Sequence, residues 1–319
     1  MSIVRKLMMG GNMNEISSVE ELKFKSTFVT SPNLSTIPAA IIIGVVCGLL
    51  GAGFIFFNTR INKVRKTIVT KNWQRVVEVA LFSLATSSVF YWGPYLFNQC
   101  KSNDLVSDDN LDLLSQYNCE DGHHSPLATT FFNEEVGAIR SIMSGFDGPG
   151  GIRLPAEQLV LYLLAWYIFM TITYGVFIPA GLFLPGIIIG CAVGAIYEEL
   201  NQKMFSQEDK SYSDAVVPVL LGVGAMLSAY CRMTYSLAVV MMETTASINI
   251  FVPMFTAIMV ARVVAGFFSP SLYVKTIRVK GIPVLPKHAP AEARHIVLGD
   301  IMRPNVDCLS TISTVDQII

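Results

Sequence analysis

The chain has 319 residues, of which 52% are hydrophobic and 15% are charged, and its formal net charge is -1. Soluble domains usually carry about 25% charged residues, so this composition indicates a membrane protein and gives no support to nucleic-acid binding. The sequence shows no nucleophile–base set, phosphate loop or metal-ligand cluster. These observations argue against an enzyme, and no cofactor is predicted.

The first predicted membrane span is Pro38–Phe57, which is uncharged and about 20 residues long. Its glycines include a G-x-x-x-G pair, Gly44 and Gly48, whose spacing allows another helix to approach closely. The segment that follows, Arg60–Arg75, carries only positive charges, and short basic loops stay in the cytoplasm. Val79–Phe97 is then predicted to return across the membrane.

A long polar loop, residues 98–153, follows the second span and is rich in acidic residues. We expect it on the luminal or extracellular side, opposite the basic loop. An oxidising compartment would favour a disulfide between its cysteines, Cys100 and Cys119, and two free thiols are the alternative. His123 and His124 have no further ligands at metal spacing, so no metal site is predicted.

The central run from Gln158 to Tyr197 is uncharged and has the length of two membrane helices. Two prolines and three glycines interrupt its centre, so one continuous helix through Gly175–Pro185 is not expected. We predict a helix that begins at Pro185, with unpaired N–H groups and a partial positive charge that attract anions. The run contains no Asp or Glu, which disfavours a cation site. A kinked helix whose glycines serve only close packing is the alternative.

The apolar segments beyond this run are short or interrupted, which favours tilted, partial helices over a simple bundle. They are Val216–Tyr230, Ser236–Met242 and Ile248–Phe268. Arg232, Glu243 and Arg262 lie within or beside them, and ionisable groups are costly in lipid. Because no proton-relay pattern accompanies these residues, we expect them to form structural pairs.

The chain leaves the membrane at Ser269–Gly281, whose basic residues place it on the cytoplasmic side. Tyr273 lies where this segment changes from apolar to basic. Two interpretations stay open for it: an interfacial aromatic anchor, or a hydroxyl that donates to an ion at the inner mouth of a path. From residue 282 onward the sequence has the character of a soluble α/β domain.

Four stretches resemble the C-terminal half of the CLC chloride channels and chloride/proton exchangers: PAGLFLPGIIIGCAVG, YCRMTYSLAVVMMETT, SLYVKTIRVKGIPVLP and LGDIMRPNV. The family signature G-x-F-x-P occurs twice, at Gly175–Pro179 and at Gly181–Pro185. We select the second, because a proline and a small residue precede it and a small-residue helix follows. The resemblance implies that the backbone amides of Leu182 and Phe183 bind chloride and that the Tyr273 hydroxyl contacts it.

The resemblance also implies an all-α multi-pass membrane fold, a CLC-type bundle of tilted and broken helices of which this chain holds the C-terminal half. The predicted domains are a polar segment 1–37, a transmembrane domain 38–281 with the outer loop 98–153, and a cytoplasmic linker with the beginning of a CBS domain at 282–319. The cysteine-bearing outer loop and the IPVLP run most resemble the endosomal and lysosomal branch of the family.

The implied function is chloride transport, as a voltage-gated channel or a chloride/proton antiporter. The implied partners are chloride, the lipid membrane, and either a second copy of the chain or a polypeptide that supplies the N-terminal half. The family's N-terminal half carries G-S-G-I-P and G-[KR]-E-G-P motifs, and neither occurs in this chain. A non-conducting membrane subunit that pairs with full-length relatives is therefore the alternative. A cation-coupled carrier on another fold would need polar side chains in the broken region, which are absent.

Overall fold

A computed structural model of the chain describes residues 36–283, apart from positions 98, 104–105, 107, 147–150, 206–211 and 246–249, together with residue 299. The predicted N-terminal segment and the predicted CBS segment lie almost entirely outside these residues. The chain divides into two units, Met1–Val279 and Lys280–Ile319, and the first contains almost all of the described residues.

The described residues form eleven helices and one small antiparallel sheet. The helices are α1 Thr36–Ile68, α2 Asn72–Leu96, α3 Asp108–Leu111, α4 Pro126–Phe132, α5 Glu135–Ser144, α6 Ala156–Thr173, α7 Phe183–Phe205, α8 Tyr212–Cys231, α9 Tyr235–Thr245, α10 Phe251–Phe268 and α11 Leu272–Lys280. The strands are β1 Lys101–Ser102 and β2 His123–His124, with Lys101 opposite His124.

Five stretches among the described residues are long and apolar enough to cross a membrane. They are Thr36–Ile68, Asn72–Leu96, Ala156–Thr173, Phe183–Met204 and Phe251–Lys280. This architecture confirms the membrane spans predicted from composition and the all-α multi-pass fold that the resemblance implies.

Helix α8 forms the centre of the bundle, because residues 215–230 are all buried. It packs against α7, α1 and α10. A helix that is apolar around its whole circumference requires such enclosure.

Glycines allow these helices to cross at short distances. A Cβ atom on Gly190 would lie 2.6 Å from the carbonyl oxygen of Gly222, where α7 crosses α8. Cβ atoms on Gly44 and Gly48 would each lie 2.9 Å from an atom of α10. The close approach predicted for the G-x-x-x-G pair is confirmed, and its partner helix is α10.

The prediction that Arg60–Arg75 forms a loop is wrong. Helix α1 continues through it to Ile68, and α2 begins at Asn72. Cations are favourable at the negative end of a helix dipole, and Arg65 and Lys66 occupy the last turn of α1. The basic segment is therefore a tight junction between two helices.

The described residues of the outer segment, residues 98–153, contain packed helices where the sequence predicted a polar loop. Helices α4 and α5 bury apolar side chains such as Leu127 and Ile142, and α5 packs against α7. Burial against a neighbouring helix stabilises these short helices, which would be marginal in isolation. Cys100 and Cys119 form a disulfide in this segment, with their Cα atoms 5.8 Å apart.

Candidate functional site

The candidate site lies at the interruption between α6 and α7. Helix α6 ends at Thr173 and α7 begins at Phe183, and residues 174–182 are not helical. The break predicted from the prolines and glycines is confirmed. The helix begins two residues before the predicted start at Pro185, which lies in the first turn, where its missing N–H removes no helical hydrogen bond.

The first turn of α7 leaves backbone donors available. The N–H of Gly186 donates to the carbonyl of Leu182 at 3.2 Å, and Pro185 has no N–H. The N–H groups of Leu182, Phe183 and Leu184 donate to no other group among the described residues. Free amides at the positive end of a helix dipole form an anion-binding arrangement.

A cavity of about 150 Å³ adjoins this turn. Its walls come from the first turn of α7, from the preceding segment and from α6. The lining residues are Trp166, Phe169, Met170, Thr173, Tyr174, Ala180, Gly181, Leu182 and Pro185. Most of these side chains are apolar, so the polar contacts available to an ion at this turn are mainly backbone groups.

Helix α8 supports the turn from the core. Tyr230 is fully buried and donates its hydroxyl to the carbonyl of Leu182 at 2.8 Å. The ring of Phe54, on α1, packs edge-on against the Tyr230 ring with the centroids 5.6 Å apart. Sequence reasoning did not single out Tyr230. The available signal was a hydroxyl at the end of an otherwise apolar segment, since buried hydroxyls require a partner.

Tyr273 lies in the first turn of α11 and is 46% exposed. Its hydroxyl is 3.6 Å from the Sγ atom of Cys231. Consecutive residues at the end of α8, Tyr230 and Cys231, therefore contact Leu182 and Tyr273 respectively. The structure brings two of the three predicted chloride-binding residues, Leu182 and Tyr273, to the same end of α8, and the binding of chloride by all three stays a prediction.

Arg232, the next residue along the chain, ties this end of α8 to the end of α10. Its backbone has a φ of 65°, in the left-handed region. Its guanidinium donates to the carbonyls of Arg262, Ala265 and Ser269 at 2.9, 2.8 and 2.7 Å. The pairing expected among the ionisable residues is wrong for Arg232, because its partners are backbone carbonyls. The side chains of Glu243 and Arg262 are exposed instead of paired with it.

Polar side chains of α1 hold the C-terminal end of α6. Asn58 donates to the carbonyls of Thr171 and Tyr174 at 2.9 and 2.6 Å, and Arg65 donates to the carbonyl of Ile172 at 2.9 Å. The last carbonyls of a helix lack partners within the helix, and these bonds satisfy them. The segment that carries the site is therefore anchored at its first residue.

The small outer sheet contains two titratable groups with shifted pKa values, His124 and Lys101. His124 is buried, with its Nδ1 atom 2.7 Å from Oδ1 of Asn103. Burial lowers the pKa of His124, and nearby Lys101 and His123 lower it further. Burial also lowers the pKa of Lys101, which donates to the carbonyl of Arg153 at 2.7 Å. Among the described residues, no group of three His, Cys, Asp or Glu side chains could hold a metal ion.

The sequence profile described as voltage gated chloride channel matches residues 3–266. The chain belongs to this family. Chloride channel protein C of Dictyostelium discoideum is 30% identical over 284 residues, which cover 87% of this chain and 36% of the relative. The H(+)/Cl(-) exchange transporter 7 of Rattus norvegicus is 28% identical over 301 residues, which cover 94% of this chain and 36% of the relative. The chain thus spans about a third of the length of these relatives.

Solved structures of the CLC family share the fold. A eukaryotic CLC transporter superposes with a TM-score of 0.53 at 22% identity, over 79% of this chain and 36% of that chain. A slow cyanobacterial Cl-/H+ antiporter superposes with a TM-score of 0.52 at 15% identity, over 81% of this chain and 50% of that chain. At these identities the likeness establishes the CLC-type arrangement of tilted and broken helices.

Proposed function

We propose that the chain forms part of a chloride pathway across a membrane, in which the start of α7 binds the anion. The observation that carries the proposal is the set of unshared N–H donors at the broken helix, beside a cavity of about 150 Å³. The names of the relatives support chloride as the ion, because they describe a chloride channel protein and an H(+)/Cl(-) exchange transporter.

In this proposal the N–H groups of Leu182 and Phe183 donate to chloride, and the Tyr273 hydroxyl adds a third donor. Gly181 leaves space for an ion beside these N–H groups, since even a Cβ atom added to it would meet nothing within 4 Å. Pro185 contributes no competing N–H. Neutral donors suit transport, because an ion must bind strongly enough to enter the site and weakly enough to leave it.

We further propose that the chain acts with a second polypeptide, either another copy of itself or a partner that supplies the N-terminal half of the pathway. The chain covers 36% of the length of the relatives, so the rest of such a pathway corresponds to residues outside this sequence. The donors of Leu182 and Phe183 alone would leave an anion incompletely coordinated, since half of an inverted repeat supplies half of a site.

The charge distribution supports an orientation. The junction between α1 and α2 carries basic residues and the outer segment 98–153 carries acidic ones, so we propose a cytoplasmic junction and a luminal outer segment. The disulfide in the outer segment fits an oxidising lumen, in line with an endosomal, lysosomal or vacuolar membrane.

Chloride efflux from liposomes tests the proposal. The purified chain is reconstituted alone, and also together with a polypeptide that carries the GSGIP and G-[KR]-E-G-P motifs, in vesicles with a potassium shunt. Efflux that is coupled to proton movement indicates an antiporter, and efflux that is indifferent to a pH gradient indicates a channel. Absence of efflux in both preparations would contradict the proposed function.

A further inference from the structure

We propose that Tyr230 is a positioning residue, which orients the N–H of Phe183 toward the anion by holding the carbonyl of Leu182. The proposal rests on the proposed function of the α7 start. In this proposal Tyr230, a buried core residue, affects the affinity for the anion without contacting it.

The argument begins with the geometry of one peptide unit. The carbonyl of Leu182 and the N–H of Phe183 belong to the same peptide bond, which is planar and trans, so the two groups point in opposite directions. Whatever fixes the carbonyl therefore fixes the direction of the N–H. A rotation of this unit would turn the donor away from its ligand.

Two donors hold this carbonyl. The N–H of Gly186 lies 3.2 Å from it, and the hydroxyl of Tyr230 lies 2.8 Å from it. The hydroxyl is the closer donor, and it comes from a different helix. The bond to Gly186 belongs to α7 itself and moves with that helix. The bond from Tyr230 fixes the peptide relative to α8, the central helix of the bundle.

The surroundings of Tyr230 leave its hydroxyl little freedom. The residue is 0% exposed, and its ring packs against Phe54. A Cβ atom on Gly186 would lie 2.0 Å from the hydroxyl oxygen, so the absence of a side chain at Gly186 is what admits the phenol. The lack of a side chain at Gly186 therefore lets the Tyr230 hydroxyl reach the carbonyl of Leu182 in a fixed orientation.

The chain offers a matched control for the loss of such a bond. Tyr167 on α6 also donates its hydroxyl to a backbone carbonyl at 2.8 Å, that of Leu50 on α1. This bond joins two helices but does not involve the first turn of α7. Tyr167→Phe and Tyr230→Phe therefore remove the same kind of hydrogen bond at different places.

The first test compares chloride affinity with thermal stability in the two variants, each reconstituted as the full chain in lipid nanodiscs. Both variants should lower the unfolding midpoint, because each loses one interhelical hydrogen bond. Tyr230→Phe should weaken chloride binding about tenfold, and Tyr167→Phe should leave the Kd within about twofold of wild type. Equal chloride affinity in Tyr230→Phe and wild type would overturn the proposal.

A second test does not depend on anion binding. Labelling with carbonyl-¹³C leucine and ¹⁵N phenylalanine marks three peptide units in this sequence, Leu81–Phe82, Leu96–Phe97 and Leu182–Phe183. The Leu182–Phe183 resonance, assigned through a Phe183→Tyr variant, should move in Tyr230→Phe and stay in place in Tyr167→Phe. An unmoved resonance in Tyr230→Phe would overturn the proposal. Should wild type bind no chloride, the proposed function fails, and this spectrum still decides whether Tyr230 orients the peptide.

Discussion

Gly186 faces Tyr230 so closely that a Cβ atom on the glycine would lie 2.0 Å from the phenol oxygen. We predict that Gly186→Ala destabilises the chain by about 1–3 kcal/mol, because the methyl group overpacks this contact. The cost should be smaller in a Tyr230→Phe background, which lacks the oxygen, so the two substitutions should not be additive. Unfolding free energies of the two single variants and the double variant measure the coupling.

The control for this prediction is Gly266→Ala on α10, where a Cβ atom would meet nothing within 4 Å. That substitution should be neutral or slightly stabilising, since alanine favours a helix interior more than glycine does. If the changes in unfolding free energy of Gly186→Ala and Tyr230→Phe were strictly additive, that would contradict the close contact between Gly186 and the Tyr230 hydroxyl.

Arg232 provides a second prediction, which concerns the junction between α8 and α10. Arg232→Gln removes three charged hydrogen bonds to carbonyls and should reduce the unfolding free energy by about 2 kcal/mol. Arg232→Lys should recover only part of this loss, because an ammonium lacks the planar set of donors. Denaturant titration in mixed micelles measures both values.

Arg262→Gln is the matched control, since it removes the same charge from an exposed side chain and leaves its carbonyl in place. We expect it to change stability by less than about 0.5 kcal/mol. Equal losses in Arg232→Gln and Arg262→Gln would show that charge, and not the carbonyl contacts, matters at this junction.

The outer segment supplies a third prediction. Cys100 and Cys119 are 19 residues apart, and on the chain-entropy account their disulfide stabilises the folded segment by about 3 kcal/mol. The double variant Cys100→Ser/Cys119→Ser should therefore exchange the amide hydrogens of residues 99–124 faster. Added reductant should bring wild type to the same rates and leave the double variant unchanged. Reductant that accelerates exchange equally in both proteins would contradict the assignment.

The stability of the outer segment should also depend on pH. The pKa of His124 is lowered in the folded state by burial and by Lys101 and His123, so the unfolded chain takes up this proton at a higher pH than the folded chain. The contribution of neutral His124 to the stability of the folded segment is therefore complete above the ordinary histidine pKa of about 6.5. It decreases as the pH falls below that value, until the folded His124 is also protonated. The protection factors of the amides of residues 99–124, measured between pH 7.5 and 5 relative to the unfolded chain at each pH, report this decrease.

A neutral substitution isolates the contribution of this histidine. His124→Gln should flatten the dependence on pH. The same acid sensitivity in His124→Gln and wild type would assign the effect to other groups.

Local sequence chemistry was sufficient to predict the broken helix. Proline and glycine act on the backbone at their own positions, so the interruption before Phe183 could be placed from the residues alone. The exact first residue could not, because helix ends vary by one or two residues with the local hydrogen bonds. The G-x-x-x-G pair predicted a close helix contact, but the choice of α10 as the partner depends on the tertiary fold.

Other features could not be predicted because they depend on neighbours far apart in sequence. Tyr230 and Leu182 are 48 residues apart, and no spacing rule connects them. The apolar residues of α4 and α5 lie among acidic ones, so a segment that looks polar on average contains two packed helices. Arg232 was expected to find an ionisable partner, yet the end of α10 offers three carbonyls that suit a guanidinium.

The central claim is that the N–H of Phe183 binds chloride, and Phe183→Pro tests it most directly. Phe183 is the first residue of α7, a position that accepts proline, so the substitution removes the donor and preserves the helix. Ala156→Pro, at the first residue of α6, is the control for a proline at a helix start. Calorimetric titration with sodium chloride against a gluconate background should show binding at least about tenfold weaker in Phe183→Pro and unchanged in Ala156→Pro. Wild-type chloride affinity in Phe183→Pro would contradict the assignment of the anion site to the start of α7.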